Sequence, residues 1–130
     1  TPEITGPVID AADPVGPARF YERLLGWPLV EVEGPRPGHP PEDGWAKLRS
    51  PAGDRKLEFQ WEPHYVPPVR PGAPGEQMMM HLDVEVDDLE EGVRWAVECG
   101  ARVAAHQPQD GVRVVLDPEG HPFCLFAVPD

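Results

Sequence analysis

The two halves of this sequence carry the same punctuation in the same order, and that duplication constrains the fold more than any other feature. Each half sets an aspartate before a helical run (Asp13, Asp88), a glycine after it (Gly26, Gly100) and a Pro-Gly turn further on (Ser50-Pro51-Ala52-Gly53, Asp117-Pro118-Glu119-Gly120). The offset between matching residues shrinks towards the final turn, because the loop 34–44 is longer than its counterpart near Gln107 to Asp110. A chain of 130 residues is long enough for one compact domain and too short for two independent ones. The halves are therefore expected as modules of a single domain: module 1 over about 1–61, a linker over 62–77 and module 2 over about 78–130.

Within the first half, an extended opening over Glu3 to Asp10 leads to Asp13-Pro14, which reads as a helix start with Asp as cap and Pro in the first turn. Phe20, Tyr21, Leu24 and Leu25 follow at helical spacing until Gly26. Strand-like runs come next at Pro28–Val32, Trp45–Arg49 and Lys56–Trp61. The second half repeats this order. Met78–Val86 alternates as a strand, Asp88 caps a helix with Leu89, Val93, Ala96 and Val97 on one face, and Gly100 ends it. Arg102–Ala105, Val112–Leu116 and Pro122–Val128 complete the set. Nine of the nineteen prolines cluster between these segments, in 34–44 and 62–75, where restricted φ and missing N–H donors mark loops.

Each half thus predicts a βαβββ unit, an α+β fold of two modules. One helix covers only one face of a four-stranded sheet, so the other face must be used. Two such modules can set curved mixed sheets around a shared cavity, where a small molecule would bind.

Composition removes several function classes. A net charge of -12 opposes nucleic-acid binding, which depends on Lys and Arg displacing counterions. No apolar run is long enough for a membrane span, and no charged start followed by an apolar stretch suggests a signal peptide, so a cytoplasmic protein without a membrane partner is expected. Cys99 and Cys124 do not form the dense pattern of a disulfide scaffold and read as reduced thiols. Dinucleotide and Walker glycine loops are missing, as is a GxSxG elbow.

The segments ADPVGPARFYERLLGWPL (12–29), KLEFQ (56–60), MHLDVEVDDLEEGVRWAVECGARV (80–103) and DPEGHPFCLF (117–126) together resemble the vicinal oxygen chelate superfamily, which includes glyoxalase I, bleomycin-resistance proteins and extradiol dioxygenases. The resemblance spans essentially the whole chain and lies nearest a glyoxalase-like branch common among actinobacteria. It implies the paired-module fold and, in the metal-dependent members, four side-chain ligands, one from the first and one from the last strand of each half. Carried over residue by residue, those positions fall on Gly6, Glu58, His81 and Cys124. Glycine offers no ligand atom, and cysteine stands where a glutamate is usual, although it is a competent soft ligand. The expectation is a resistance-type binder or an enzyme without a complete four-ligand site. The alternative is a lyase, isomerase or dioxygenase in which Glu58, His81 and Cys124 hold Zn, Ni, Fe or Mn. The superfamily forms its cavities within one chain or across a swapped homodimer, and the sequence leaves both open.

Alternation adds independent physics. Along 78–86, Met80, Leu82, Val84 and Val86 share the face that should meet the helix, while His81, Asp83 and Glu85 share the other. The polar face should join Glu58 and Gln60, Cys124 and Phe126 around an acidic cavity. Trp45, on a strand facing that space, would add an aromatic wall for a planar or cationic guest. The candidate ligand-binding residues are therefore Trp45, Glu58, Gln60, His81, Asp83, Cys124 and Phe126. The same residues also have a plainer reading: Asp83 as a solvent-facing charge, His81 as a hydrogen-bonded residue and Cys124 as a small buried apolar side chain.

Overall fold

The computed structural model describes residues 1–69 and 72–128, so Arg70 and Pro71 of the expected linker and Pro129 and Asp130 at the end of module 2 lie outside the described residues. The chain forms two compact units, Thr1–Tyr65 and Val66–Asp130. The first contains β1 (Val8–Ala11), α1 (Val15–Leu25), β2 (Leu29–Glu33), β3 (Trp45–Arg49) and β4 (Lys56–Trp61). Its sheet runs β1-β4-β3-β2, with β1 parallel to β4 and the other pairs antiparallel. The second contains β5 (Leu82–Val86), α2 (Leu89–Cys99), β6 (Arg102–Val103), β7 (Val112–Leu116) and β8 (Pro122–Ala127). Its sheet has the matching order β5-β8-β7-β6, again with one parallel pair, β5 with β8. The duplicated βαβββ unit is therefore present as an α+β fold of two four-stranded mixed sheets.

In each unit one sheet face packs on the helix. Tyr21 of α1 stacks on Phe59 of β4 with ring centroids 5.4 Å apart, and Phe20 meets Tyr21 edge-on at 4.8 Å. Leu48, Leu57 and Phe59 are buried there, which turns Glu58 and Gln60 to the opposite face. In the second unit Phe123, Leu125, Val115 and Ala96 are fully buried. Gly92 explains how α2 sits so close to Val86 of β5: a Cβ at that position would lie 2.8 Å from Val86 Cγ1, so any larger residue must push Val86 aside. Because Val86 faces α2, Leu82 and Val84 do too, and Asp83 and Glu85 face away.

The matching turns use different chemistry for one task. Asp117, fully buried, accepts hydrogen bonds from the backbone N–H groups of Glu119 (2.9 Å) and His121 (3.0 Å), and its second oxygen pairs with His121 Nδ1 at 2.7 Å. In the first unit Ser50 stands in this place: its hydroxyl donates to Asp54 at 2.8 Å and accepts from Arg55 N–H at 3.0 Å.

Several local expectations are corrected. Helix α1 is bounded at Val15, although Pro14 before it already has helical dihedrals (φ -55°, ψ -33°), in keeping with the proline expected in the first turn. Asp88 does cap α2, accepting from Glu91 N–H at 3.0 Å. The inward face of α2 runs through Leu89, Gly92, Val93, Ala96 and Cys99, whereas Val97 is exposed. β5 starts at Leu82 rather than Met78, and Met80 is exposed instead of meeting the helix. Leu82 pairs with Phe123, and the residue before Phe123 is Pro122, which has no N–H to extend the ladder. β6 ends at Val103, after which the Gln107 side chain takes over the ladder, donating to the carbonyls of Ala104 and Val114 and accepting from Val114 N–H, each at 2.9 Å. The Pro-rich segment 34–44 is pinned by Asp43, which accepts from Arg36 N–H, Nε and Nη2 at 2.8, 2.9 and 3.0 Å.

Candidate functional site

On the second unit, the strand register brings three of the sequence candidates together. Asp83 of β5 pairs with Cys124 of β8, so both side chains leave the same sheet face, away from α2. His81, two residues before Asp83, joins them: its Nε2 lies 3.2 Å from Asp83 Oδ1. One ligand atom from each of His81, Asp83 and Cys124 lies within 4.8 Å of the others. Asp83 is the most exposed of the three and Cys124 is 4% exposed. Neither cysteine forms a disulfide. Phe126 lies on the same face of β8, half-buried.

The donor set suits a divalent ion in kind. Metal bonds of ~2.0 Å to imidazole and carboxylate and ~2.3 Å to thiolate put donor atoms roughly 3–4 Å apart, so a small closure of the observed cluster would suffice. Two features oppose tight binding. The His81 Nε2–Asp83 Oδ1 contact occupies one donor atom of each residue, so an ion taking those two atoms must replace that contact. The thiol of Cys124 must also give up its proton to serve as a ligand, at a position only 4% exposed.

The first unit is arranged differently. Trp45, Lys47, Glu58 and Gln60 share one sheet face through the Trp45–Gln60 and Lys47–Glu58 pairs. Trp45 Nε1 donates to Glu31 at 3.2 Å, and Gln60 Nε2 donates to Asp10 at 2.9 Å. Glu58 Oε1 lies 3.2 Å from the Lys56 ammonium and 3.8 Å from that of Lys47, and all three side chains are mostly buried. A cation position beside Glu58 is thus already taken by lysine. The Gly6 position is closed as well: a Cβ there would lie 2.7 Å from Lys56 Cγ and from the Lys56 carbonyl oxygen, so no larger side chain enters without moving that strand.

Sequence reasoning therefore named the acidic and aromatic residues of this face and missed Lys47 and Lys56. The signal was available, since Lys56 and Glu58 are two apart on one strand and β3 alternation puts Lys47 with Trp45. The expected acidic face is mixed in charge. Elsewhere, Arg36 beside Asp43 holds that carboxyl down at about 2, against its own burial and with help from the Arg36 N–H.

The model of a family described as glyoxalase-like domain matches residues 7–126. No curated protein matches the chain at a significant level. Among solved structures, a glyoxalase family protein from Enterococcus faecalis is 23% identical with a TM-score of 0.64, over 95% of this chain and 96% of that one. A glyoxalase/bleomycin resistance protein/dioxygenase family enzyme from Burkholderia phytofirmans is 21% identical with a TM-score of 0.62, over 96% and 98%. A mutant of the fosfomycin resistance protein FosX from Listeria monocytogenes, complexed with Mn(II) and 1S,2S-dihydroxypropylphosphonic acid, is 11% identical with a TM-score of 0.70, over 98% and 93%. At these identities the likeness establishes the fold.

Proposed function

Because this chain belongs to the glyoxalase-like domain family, we propose that it binds a small molecule at the polar sheet faces of its units, without a complete four-ligand metal centre. The observation that carries this reading is the lysine pair. Glu58 is neutralised by ammonium groups at 3.2 and 3.8 Å, and Lys56 fills the space at Gly6, so two of the four family positions are unfit for an ion. Trp45, Glu58, Gln60, His81, Asp83, Cys124 and Phe126 are the proposed contacts. Such a protein acts as a resistance-type binder, or as an enzyme whose own side chains do the chemistry.

A second reading is favoured by the cluster of His81, Asp83 and Cys124. Those three residues would hold a divalent ion, such as the Mn(II) named for the FosX relative, in place of a set that includes Glu58. A bound ion there would supply Lewis-acid polarisation of a substrate oxygen for lyase, isomerase or dioxygenase chemistry. Elemental analysis of the purified chain beside its His81→Ala variant separates the readings. Substoichiometric metal in both supports the binder, whereas one equivalent that disappears with His81 supports the metal-dependent enzyme. A thermal-shift screen of small molecules then tests binding itself, because a ligand that prefers the folded state raises the unfolding temperature.

A further inference from the structure

We propose that the second unit carries a pocket for a small monocarboxylate with an apolar body, anchored by Arg102. This deepens the reading that the polar face of this unit binds a small molecule, and rests on it. A cavity of about 510 Å³ opens there, within the ~300–1,000 Å³ typical of small-molecule sites. Its floor is sheet: Val114, Leu116 and Pro122, which share the Cys124 face because Val114 pairs with Cys124 and Leu116 with Pro122. The site therefore adjoins the His81–Asp83–Cys124 group without using it.

The walls are held in place. Pro67 and Pro68 form one side, and Pro67 packs so tightly over the β7–β8 turn that a Cβ on Gly120 would lie 3.0 Å from Pro67 Cβ. The rim at Ala104 to His106 is fixed by the three hydrogen bonds of Gln107. A site whose walls are already ordered loses less entropy on binding.

Charge selects the ligand. Arg102 pairs with Leu116 across β6 and β7 and lines the cavity, and among the described residues no hydrogen bond or ion pair engages its guanidinium. Its planar fork matches a carboxylate through two parallel N–H donors. Glu119 also lines the cavity, and a second negative charge on the ligand would be repelled there. Arg102 thus anchors one carboxylate while Glu119 opposes any further negative charge over the apolar floor, with the His106 ring as a further hydrogen-bonding group at the rim.

The test is a titration of the ¹⁵N-labelled chain with sodium benzoate, with benzamide and phenylphosphonate as neutral and dianionic counterparts. Benzoate should shift the amides of Ala104, His106, Val114, Leu116 and Gly120 saturably. Arg102→Gln should weaken that binding about tenfold, as expected for loss of a charge-assisted contact. Arg102 is exposed, and an otherwise unchanged amide spectrum of the variant verifies its fold. Benzamide or phenylphosphonate binding as tightly as benzoate, an unchanged affinity in Arg102→Gln, or saturable shifts elsewhere would overturn the proposal. If other small molecules shift the amides of Asp83 and Cys124 while benzoate shifts nothing, the carboxylate pocket is refuted and the binding face stands. If no small molecule shifts either group, both fall.

Discussion

The contact between Lys56 and Glu58 is the interaction on which the metal-poor reading turns, and a double-mutant cycle measures it directly. Two unit charges 3.2 Å apart attract by about 5 kcal/mol at an effective dielectric constant of ~20. Desolvation of both groups takes back most of that, and Lys47, 3.8 Å from the same oxygen, shares what remains. The net coupling should be about 1–2 kcal/mol, above the ~0.2–1 kcal/mol of exposed pairs because the two side chains are only 11% and 17% exposed. Lys56→Met, Glu58→Gln and the double variant, unfolded in urea, supply the four corners of the cycle. Glu58→Gln should be the more destabilising single change, by about 2 kcal/mol, since it leaves the mostly buried Lys56 ammonium without its counter-charge, whereas Lys47 keeps Glu31 at 3.4 Å. A coupling near zero with unchanged urea dependence would refute the argument, because Glu58 would then be free to serve an ion.

Other outcomes follow from named contacts. Asp43 keeps its carboxylate charged far below the ordinary value of 3.8, so its contribution to stability is complete above that pH and is lost as pH falls through about 2. NMR titration of Asp43 should show this low midpoint rising towards 3.8 in Arg36→Gln, and a wild-type midpoint already near 3.8 would contradict the clamp. Asp117→Ala leaves two backbone N–H groups and the His121 ring without their buried acceptor and should cost about 3 kcal/mol or more in urea unfolding. A loss below ~1 kcal/mol would show that the turn does not depend on it. Gly92→Ala should destabilise by about 1 kcal/mol, because overpacking against Val86 outweighs the helix-propensity gain of ~1 kcal/mol. A more stable Gly92→Ala protein would contradict that packing.

The duplication was readable because it is written in residues with strong local physics. Gly26 ends α1 in the left-handed region (φ 70°), Asp88 caps α2, and the Pro-Gly turns sit between matching strands. Period-two alternation set Asp83 and Cys124 on one face, since facing is a property of a single strand and its register partner, and His81, just before the strand, reaches Asp83 at 3.2 Å. What escaped the sequence depends on contacts between strands and turns. The end of β5 at Leu82 is decided by Pro122, forty residues away in chain order and adjacent in the sheet. The takeover of the β6 ladder by Gln107 has no periodic signature. The occupation of the Gly6 space by Lys56 is visible only when β4 is laid beside the opening segment. The Arg102 pocket was missed for a similar reason, as its walls come from segments around 67, 104 and 119 that no motif links.

The most direct measurement of the account is metal stoichiometry after equilibration with excess Mn(II) or Zn(II) and removal of unbound ion, for the wild-type chain, His81→Ala and Glu58→Gln. The account predicts well under one equivalent retained by the wild type, with no change on replacing Glu58. One equivalent held by the wild type and lost in His81→Ala would contradict it, whether or not Glu58→Gln retains the ion.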